Sequence, residues 1–69
     1  MTAIAEIAAI YQAETPLGVC IREVENGPDI WLPISAVEVE PENEALALER
    51  GVVVKVTAPE GLLLKMGLI

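Results

Sequence analysis

Few side chains in this sequence could carry out chemistry, and none has a conventional partner. The 69 residues contain no histidine and a single cysteine, Cys20. A thiol or hydroxyl nucleophile needs an adjacent base, most often histidine, so neither Cys20 nor Ser35 is predicted to act as one. Cys20 is instead predicted to be a buried, small apolar side chain. With no phosphate-binding glycine loop and no metal-ligand cluster in the sequence, we predict a protein that is not an enzyme and uses no cofactor or metal.

The residues best suited to holding a small ligand are one aromatic and three basic side chains. Trp31, the only tryptophan, could stack on a flat ring, whereas Arg22, Arg50 and Lys55 could pair with phosphate. Such a site needs folding or assembly to bring these side chains together. The competing interpretation, which the sequence alone favours, is that Trp31 fills the interior of the domain.

A second candidate surface is acidic. Eleven acidic residues against four basic ones give a net charge of −7, which argues against direct binding to nucleic acid. Four carboxylates recur at alternate positions: Glu38, Glu40, Glu42 and Glu44. Their spacing lacks the central glycine of a calcium loop. This region is predicted to be a solvated face, with a cation site or a docking surface for a basic partner as the alternatives.

Length and composition predict one domain over residues 1–69 that assembles with copies of itself. A chain this short buries only about 60% of the surface that its unfolded form exposes, so small domains add disulfides, metals or oligomerisation. One cysteine cannot form an internal disulfide. Hydrophobic residues make up 54% of the chain, and a homo-oligomer would bury the excess apolar surface. A compact monomer is the alternative.

No segment of the sequence is suited to a membrane. Acidic and turn residues interrupt every apolar run before it reaches spanning length. The N-terminus also lacks the basic start and long apolar core of a signal peptide. We therefore expect no membrane contact and a cytoplasmic location.

Short alternating segments separated by turn residues predict a mainly β fold. Residues 17–24 and 30–32 flank a Glu-Asn-Gly-Pro turn and are predicted to form a hairpin that ends at Pro33. Alternation continues over residues 37–39. The β-branched run 52–57 predicts the strongest strand of the chain, with Val52, Val54 and Val56 on one face and Val53 and Lys55 on the other.

Three further segments could be helical. Asn43 could cap a short helix over residues 44–50 that Gly51 closes. A last helix is predicted to begin near Pro59 and to stop at Gly67. Residues 2–13 fit either a strand or a helix, because four apolar side chains there also follow helical spacing: Ile4, Ile7, Ala8 and Tyr11.

Two segments resemble small proteins common in bacteriophage and prophage genomes. Residues 31–37, Trp-Leu-Pro-Ile-Ser-Ala-Val, are similar to a Trp-Leu-Pro-Lys-Ser-Gln-Ile segment that follows a hairpin in those proteins. Residues 58–63 and 65–69 resemble their Val-Pro-Glu-Trp-Leu-Ala segment and Lys-Gly-Leu ending. This chain departs from the pattern at three positions, where Ile34, Ala36 and Gly61 replace Lys, Gln and Trp.

The resemblance implies that residues 4–12 form a first strand. With the other elements, this predicts an antiparallel, partly open barrel of the SH3-like or OB-like kind, with about five strands and a short C-terminal helix. We expect a homo-oligomeric, non-enzymatic phage or mobile-element protein that acts against host defence in the host cytoplasm. It would sequester a nucleotide-type signal or block a host defence protein. The alternatives are an acidic accessory or DNA mimic that docks on a basic DNA-metabolism enzyme, and a structural assembly module.

Overall fold

Five antiparallel strands in one sheet, followed by a short helix, make up the computed structural model, which describes residues 3–69. The elements are β1 (Ile4–Glu14), β2 (Gly18–Arg22), β3 (Ile30–Pro33), β4 (Glu38–Pro41), β5 (Val53–Pro59) and α1 (Glu60–Lys65). The strand order is β3-β2-β1-β5-β4, so β3 and β4 are the two edges and the sheet is not closed. The predicted mainly β fold, a partly open barrel with a C-terminal helix, is confirmed.

The central strand, β1, settles the ambiguity over the N-terminal segment. It pairs with β5 from Ile4 to Ile10 and with β2 from Ile10 to Glu14. Ile7 and Tyr11 belong to the core, whereas Ile4 is 71% exposed on the opposite face. The helical interpretation is therefore wrong, because side chains at helical spacing lie on different faces of this strand. The strand that the resemblance implied is the correct one.

The core lies on one face of the curved sheet, and α1 packs against that face. Strands β1, β2, β3 and β5 contribute alternate side chains to it, as the pattern of residues 52–57 predicted. Its buried members are Ala9, Tyr11, Val19, Ile21, Leu32, Val54, Val56, Ala58, Leu63 and Leu68. We call the opposite face of the sheet, which carries the other alternate side chains, the outer face.

The helix α1 ends where the sequence predicted. Gly67 adopts a φ of 76°, in the left-handed region. Its N–H donates to the Leu64 carbonyl at 3.1 Å, and the Leu68 N–H donates to the Leu63 carbonyl at 2.8 Å. This pair of bonds satisfies carbonyls at the helix end and turns Leu68 back into the core beside Leu63.

The predicted helix over residues 44–50 is wrong, because this segment consists of turns. The Asn43 side chain accepts a hydrogen bond from the Ala45 N–H at 3.0 Å, and the Asn43 carbonyl accepts one from the Leu46 N–H at 2.9 Å. Leu46 and Leu48 remain 49% and 37% exposed. A helix this short needs an apolar face packed on a core, and here none is buried.

The hairpin of β2 and β3 is confirmed, although β2 covers only part of the predicted segment 17–24. Just before β2, the Thr15 hydroxyl accepts hydrogen bonds from the Leu17 and Gly18 N–H groups, which places Leu17 at the tip of a turn, 86% exposed. Just after β2, the Gly27 N–H donates to the Val24 carbonyl at 2.9 Å in the turn that leads to β3. Turn hydrogen bonds therefore replace the strand ladder at both ends of β2.

Two glycine substitutions should change stability in opposite directions. Gly51 has a φ of 91°, so Gly51→Ala forces a side chain into the left-handed region and should destabilise the fold by about 1–2 kcal/mol. Gly61 lies within α1 with open space where a Cβ would stand, so Gly61→Ala should stabilise by about 0.5–1 kcal/mol. Urea denaturation of both variants measures this. Equal stability of Gly51→Ala and the wild type would contradict the described turn.

Candidate functional site

A groove on the outer face brings together two of the four predicted ligand residues, Arg22 and Arg50. Its volume is about 450 Å³. The lining residues come from β1, β2, β5 and two loops: Ile10, Gln12, Arg22, Glu25, Arg50, Gly51 and Val53. We call this the arginine groove.

The sheet register builds the floor of the arginine groove. Ile10 of β1 pairs with Arg22 of β2 on one side and with Val53 of β5 on the other. Residues directly opposite each other in an antiparallel sheet share a face, so these three side chains form one row across the outer face. The floor is thus apolar at its centre and at one end, and cationic at the other end.

An irregularity in β1 forms the wall of the groove. The register between β1 and β2 shifts between Tyr11 and Ala13, so Gln12 is an extra residue in the strand. On the other side of β1, the Gly51 N–H donates to the Tyr11 carbonyl at 2.8 Å, and the Tyr11 N–H donates to the Val52 carbonyl at 2.9 Å. These bonds hold the loop end, and with it Arg50, beside the bulge.

The two arginines differ in how far their charge is already compensated. Arg22 Nε donates to Asp29 Oδ1 at 2.6 Å, and its Nη1 donates to the Glu25 carbonyl at 3.1 Å. Arg50 is exposed and forms no ion pair with any residue from 3 to 69. Arg50 is therefore the cation of the groove with its full hydrogen-bonding capacity available, while Arg22 offers only its remaining N–H groups.

Lys55 and Trp31 lie on the outer face but do not line the arginine groove. Lys55 is on β5, two residues beyond the floor, opposite Ala8 of β1 and Glu40 of β4. Trp31 is on the edge strand β3 and is 50% exposed, so the interpretation that it fills the core is wrong. The pattern Ile-Trp-Leu could not decide this point, since all three residues are apolar. The buried side of β3 is the side of Leu32.

Trp31 pairs directly with Cys20, the only free thiol of the chain. Cys20 is 2% exposed, which confirms that it is a buried small side chain. Burial, and secondarily the carboxylate of Asp29, raise the pKa of the Cys20 thiol. A protonated, inaccessible thiol is a poor nucleophile.

The predicted acidic residues form an exposed strip along one edge of the sheet. Glu38 and Glu40 point from the outer face of the edge strand β4, and Glu42 and Glu44 follow in the loop; all four are exposed. None of them forms an ion pair within the described residues. No group of three or more Asp, Glu, Cys or His side chains in residues 3–69 is arranged to hold a metal ion.

A second, smaller groove of about 360 Å³ lies at one end of the sheet, and the sequence did not predict it. Its lining residues come from the start of β1, from the segment that leads into β4 and from the end of β5: Ile4, Ser35, Ala36, Val37, Glu38, Thr57, Ala58 and Pro59. Ser35 and Thr57 supply hydroxyls and Glu38 supplies a carboxylate, so the lining offers hydrogen-bond donors and acceptors.

The sequence did not indicate Gln12 as a groove residue. A glutamine at an alternate position of a strand is ordinary, and its neighbours Tyr11 and Ala13 give no sign of a bulge. Only the register between β1 and β2 reveals it, and that register depends on residues distant in sequence.

Comparison of the chain with protein families, curated proteins and solved structures found no match. The resemblance to phage proteins therefore stays a prediction. Concerning membranes, α1 has six residues, and nowhere in residues 3–69 is there a helix with the length and apolar character needed to cross a bilayer.

The position of Trp31 opposite Cys20 makes a testable prediction about thiol reactivity. In the native protein, Cys20 should react with a thiol reagent at least about tenfold more slowly than in urea at the same pH, because the thiol is buried and its pKa is raised. Trp31→Ala should increase the native rate, whereas Leu64→Ala, which removes another exposed apolar side chain on α1, should not. The rate can be followed by absorbance. Equal rates in the two variants would show that Trp31 does not protect the thiol.

Proposed function

We propose that this chain is a non-enzymatic binding protein, encoded by a phage or mobile element, that captures a small anionic ligand of the nucleotide type in the arginine groove. The observation that carries the proposal is the position of Arg50. Its uncompensated guanidinium lies at a groove with an apolar floor, in a chain whose other cations are scattered. An arginine in this setting is suited to bind a phosphate oxygen pair.

The dimensions and lining of the groove support a small ligand. A volume of about 450 Å³ lies in the range of small-molecule sites, which combine apolar walls with a few polar groups. Ile10 and Val53 offer apolar surface for a flat ring, and the free N–H groups of Arg22 lie at the far end of the same row. Glu25 and Asp29 limit the positive potential, so one phosphate group is favoured over several.

Assembly into a homo-oligomer is the second part of the proposal. Large apolar side chains are exposed over much of the surface: Ile4, Leu17, Val24, Trp31, Leu46, Leu48, Val53, Leu64 and Ile69. The edge strand β3, which carries Trp31, also has backbone groups available for pairing. A second copy that covers Trp31 and Leu17 would bury part of this surface, and Trp31 would then lie in an interface within the oligomer.

Capture without catalysis fits a protein that counteracts host immunity. A protein that binds a nucleotide signal in the host cytoplasm lowers its free concentration by mass action, and no active site is needed. Blocking a host defence protein directly is the related alternative, and it would not depend on the arginine groove.

Two substitutions that each remove one positive charge test the arginine groove. Arg50→Gln should weaken the binding of nucleoside monophosphates by about tenfold or more, because a hydrogen bond to a charged group contributes about 1.5–3 kcal/mol. Lys65→Gln removes the same charge at the end of α1, away from the groove, and should leave affinity within about twofold, as expected for a distant surface charge. Isothermal titration calorimetry measures both variants. No saturable binding of any mononucleotide or cyclic dinucleotide to the wild type would overturn the proposal.

A second candidate function rests on the acidic strip. Glu38 and Glu40 project from an edge strand, and Glu42 and Glu44 extend the line of charge, without ion pairs in the described part of the chain. Such a surface could dock on a basic DNA-metabolism enzyme or imitate the phosphates of DNA. Ligand capture is favoured because exposed acidic strips also occur as ordinary solvated surface.

Two triple variants distinguish docking from general charge effects. Replacing Glu38, Glu40 and Glu42 with Gln should abolish competition with DNA for a basic nuclease or recombinase, measured by fluorescence anisotropy of labelled DNA. Replacing Glu14, Glu23 and Glu60 with Gln changes net charge equally and should preserve competition. Equal effects would reject specific docking. A large oligomer with neither ligand nor protein partner would instead indicate a structural assembly module.

A further inference from the structure

Gln12 is the buried polar side chain of the arginine groove. It is 9% exposed, lies at the bulge of β1 and lines the groove between Tyr11 and the loop end at Gly51. No hydrogen bond to its side-chain amide occurs within residues 3–69. No side-chain nitrogen or oxygen in that range is both fully buried and without a hydrogen-bond partner. Because the Gln12 amide has no partner, it must contact solvent, and it does so through the groove that it lines.

A buried amide that faces a groove is suited to a specific hydrogen-bonding partner. A glutamine side chain carries one acceptor and two donor hydrogens in one plane, so it pairs with a ligand edge that presents a donor beside an acceptor. Burial restricts the rotamers of Gln12, and its entropic cost of binding is lower than that of an exposed side chain.

We infer that Gln12 recognises the base of an adenine nucleoside monophosphate while Arg50 holds its phosphate, an assignment that rests on the proposed function of the groove. A glutamine side-chain amide can form two hydrogen bonds with adenine, accepting one from the N6 amino group and donating one to N7. Val53 and Ile10 then supply the apolar floor beneath the ring. The Gln12 amide thus recognises the base, and the Arg50 guanidinium binds the phosphate.

The backbone around the bulge brings Gln12 and Arg50 to the same groove. Gln12 follows the core residue Tyr11, so its side chain lies on the outer face with Ile10, and Gln12 and Ala13 together oppose Cys20. The hydrogen bond from the Gly51 N–H to the Tyr11 carbonyl places the residue after Arg50 beside the residue before Gln12. One element of the backbone thus positions both recognition groups.

Three ligands separate base recognition from phosphate binding. AMP presents both the amino group and the phosphate, purine riboside 5′-monophosphate lacks only the amino group, and ribose 5-phosphate lacks the base. Calorimetry of the wild type should rank their affinities in that order, with about a tenfold loss on removal of the amino group. This comparison needs no variant, so it does not depend on whether a substitution at Gln12 folds.

Gln12→Met keeps the size of the side chain and removes its hydrogen bonds. It should reduce AMP affinity about tenfold while leaving ribose 5-phosphate affinity unchanged. Equal affinity of the wild type for AMP and purine riboside 5′-monophosphate would overturn the role of Gln12 and leave the phosphate site intact. Saturable binding of neither AMP nor ribose 5-phosphate would overturn the inference, whereas the proposed function fails only when no mononucleotide or cyclic dinucleotide binds.

Discussion

The backbone hydrogen bonds along both edges of β1 hold the rest of the molecule in place. β1 pairs with β2 on one side and with β5 on the other, and the two edge strands attach only through these neighbours. Every alternate side chain of β1 then falls on the core or the outer face. Because the chain is short and its core small, this one strand decides which residues can meet on the outer face.

The same strand also contains the departure from regularity that forms the groove. The register shift beside Gln12 interrupts the regular ladder with β2 near the point where the pairing of β1 passes from β5 to Gly51 and Val52. Gly51 can make this corner because its φ of 91° is accessible to glycine.

How well the sequence predicted each part depends on whether local or distant residues decide it. The faces of residues 52–57 and the stop at Gly67 follow from neighbouring residues, and both were predicted correctly. The helix over residues 44–50 had suitable capping residues, but its leucines find no core to pack on, and no local pattern reveals that. The exposure of Trp31 likewise depends on which face of β3 the sheet buries. Arg22 and Arg50 were candidates by residue type, and only the register of three strands brings them together.

Ligand binding in the arginine groove can be tested by titrating the isotopically labelled protein with AMP and following ¹H–¹⁵N correlation spectra. Binding there should give saturable shifts of the Gln12 side-chain amide and of the backbone amides of Arg50 and Gly51, with little change at residues 38–44. No saturable shift, or shifts centred on residues 38–44, would contradict the arginine groove as the binding site.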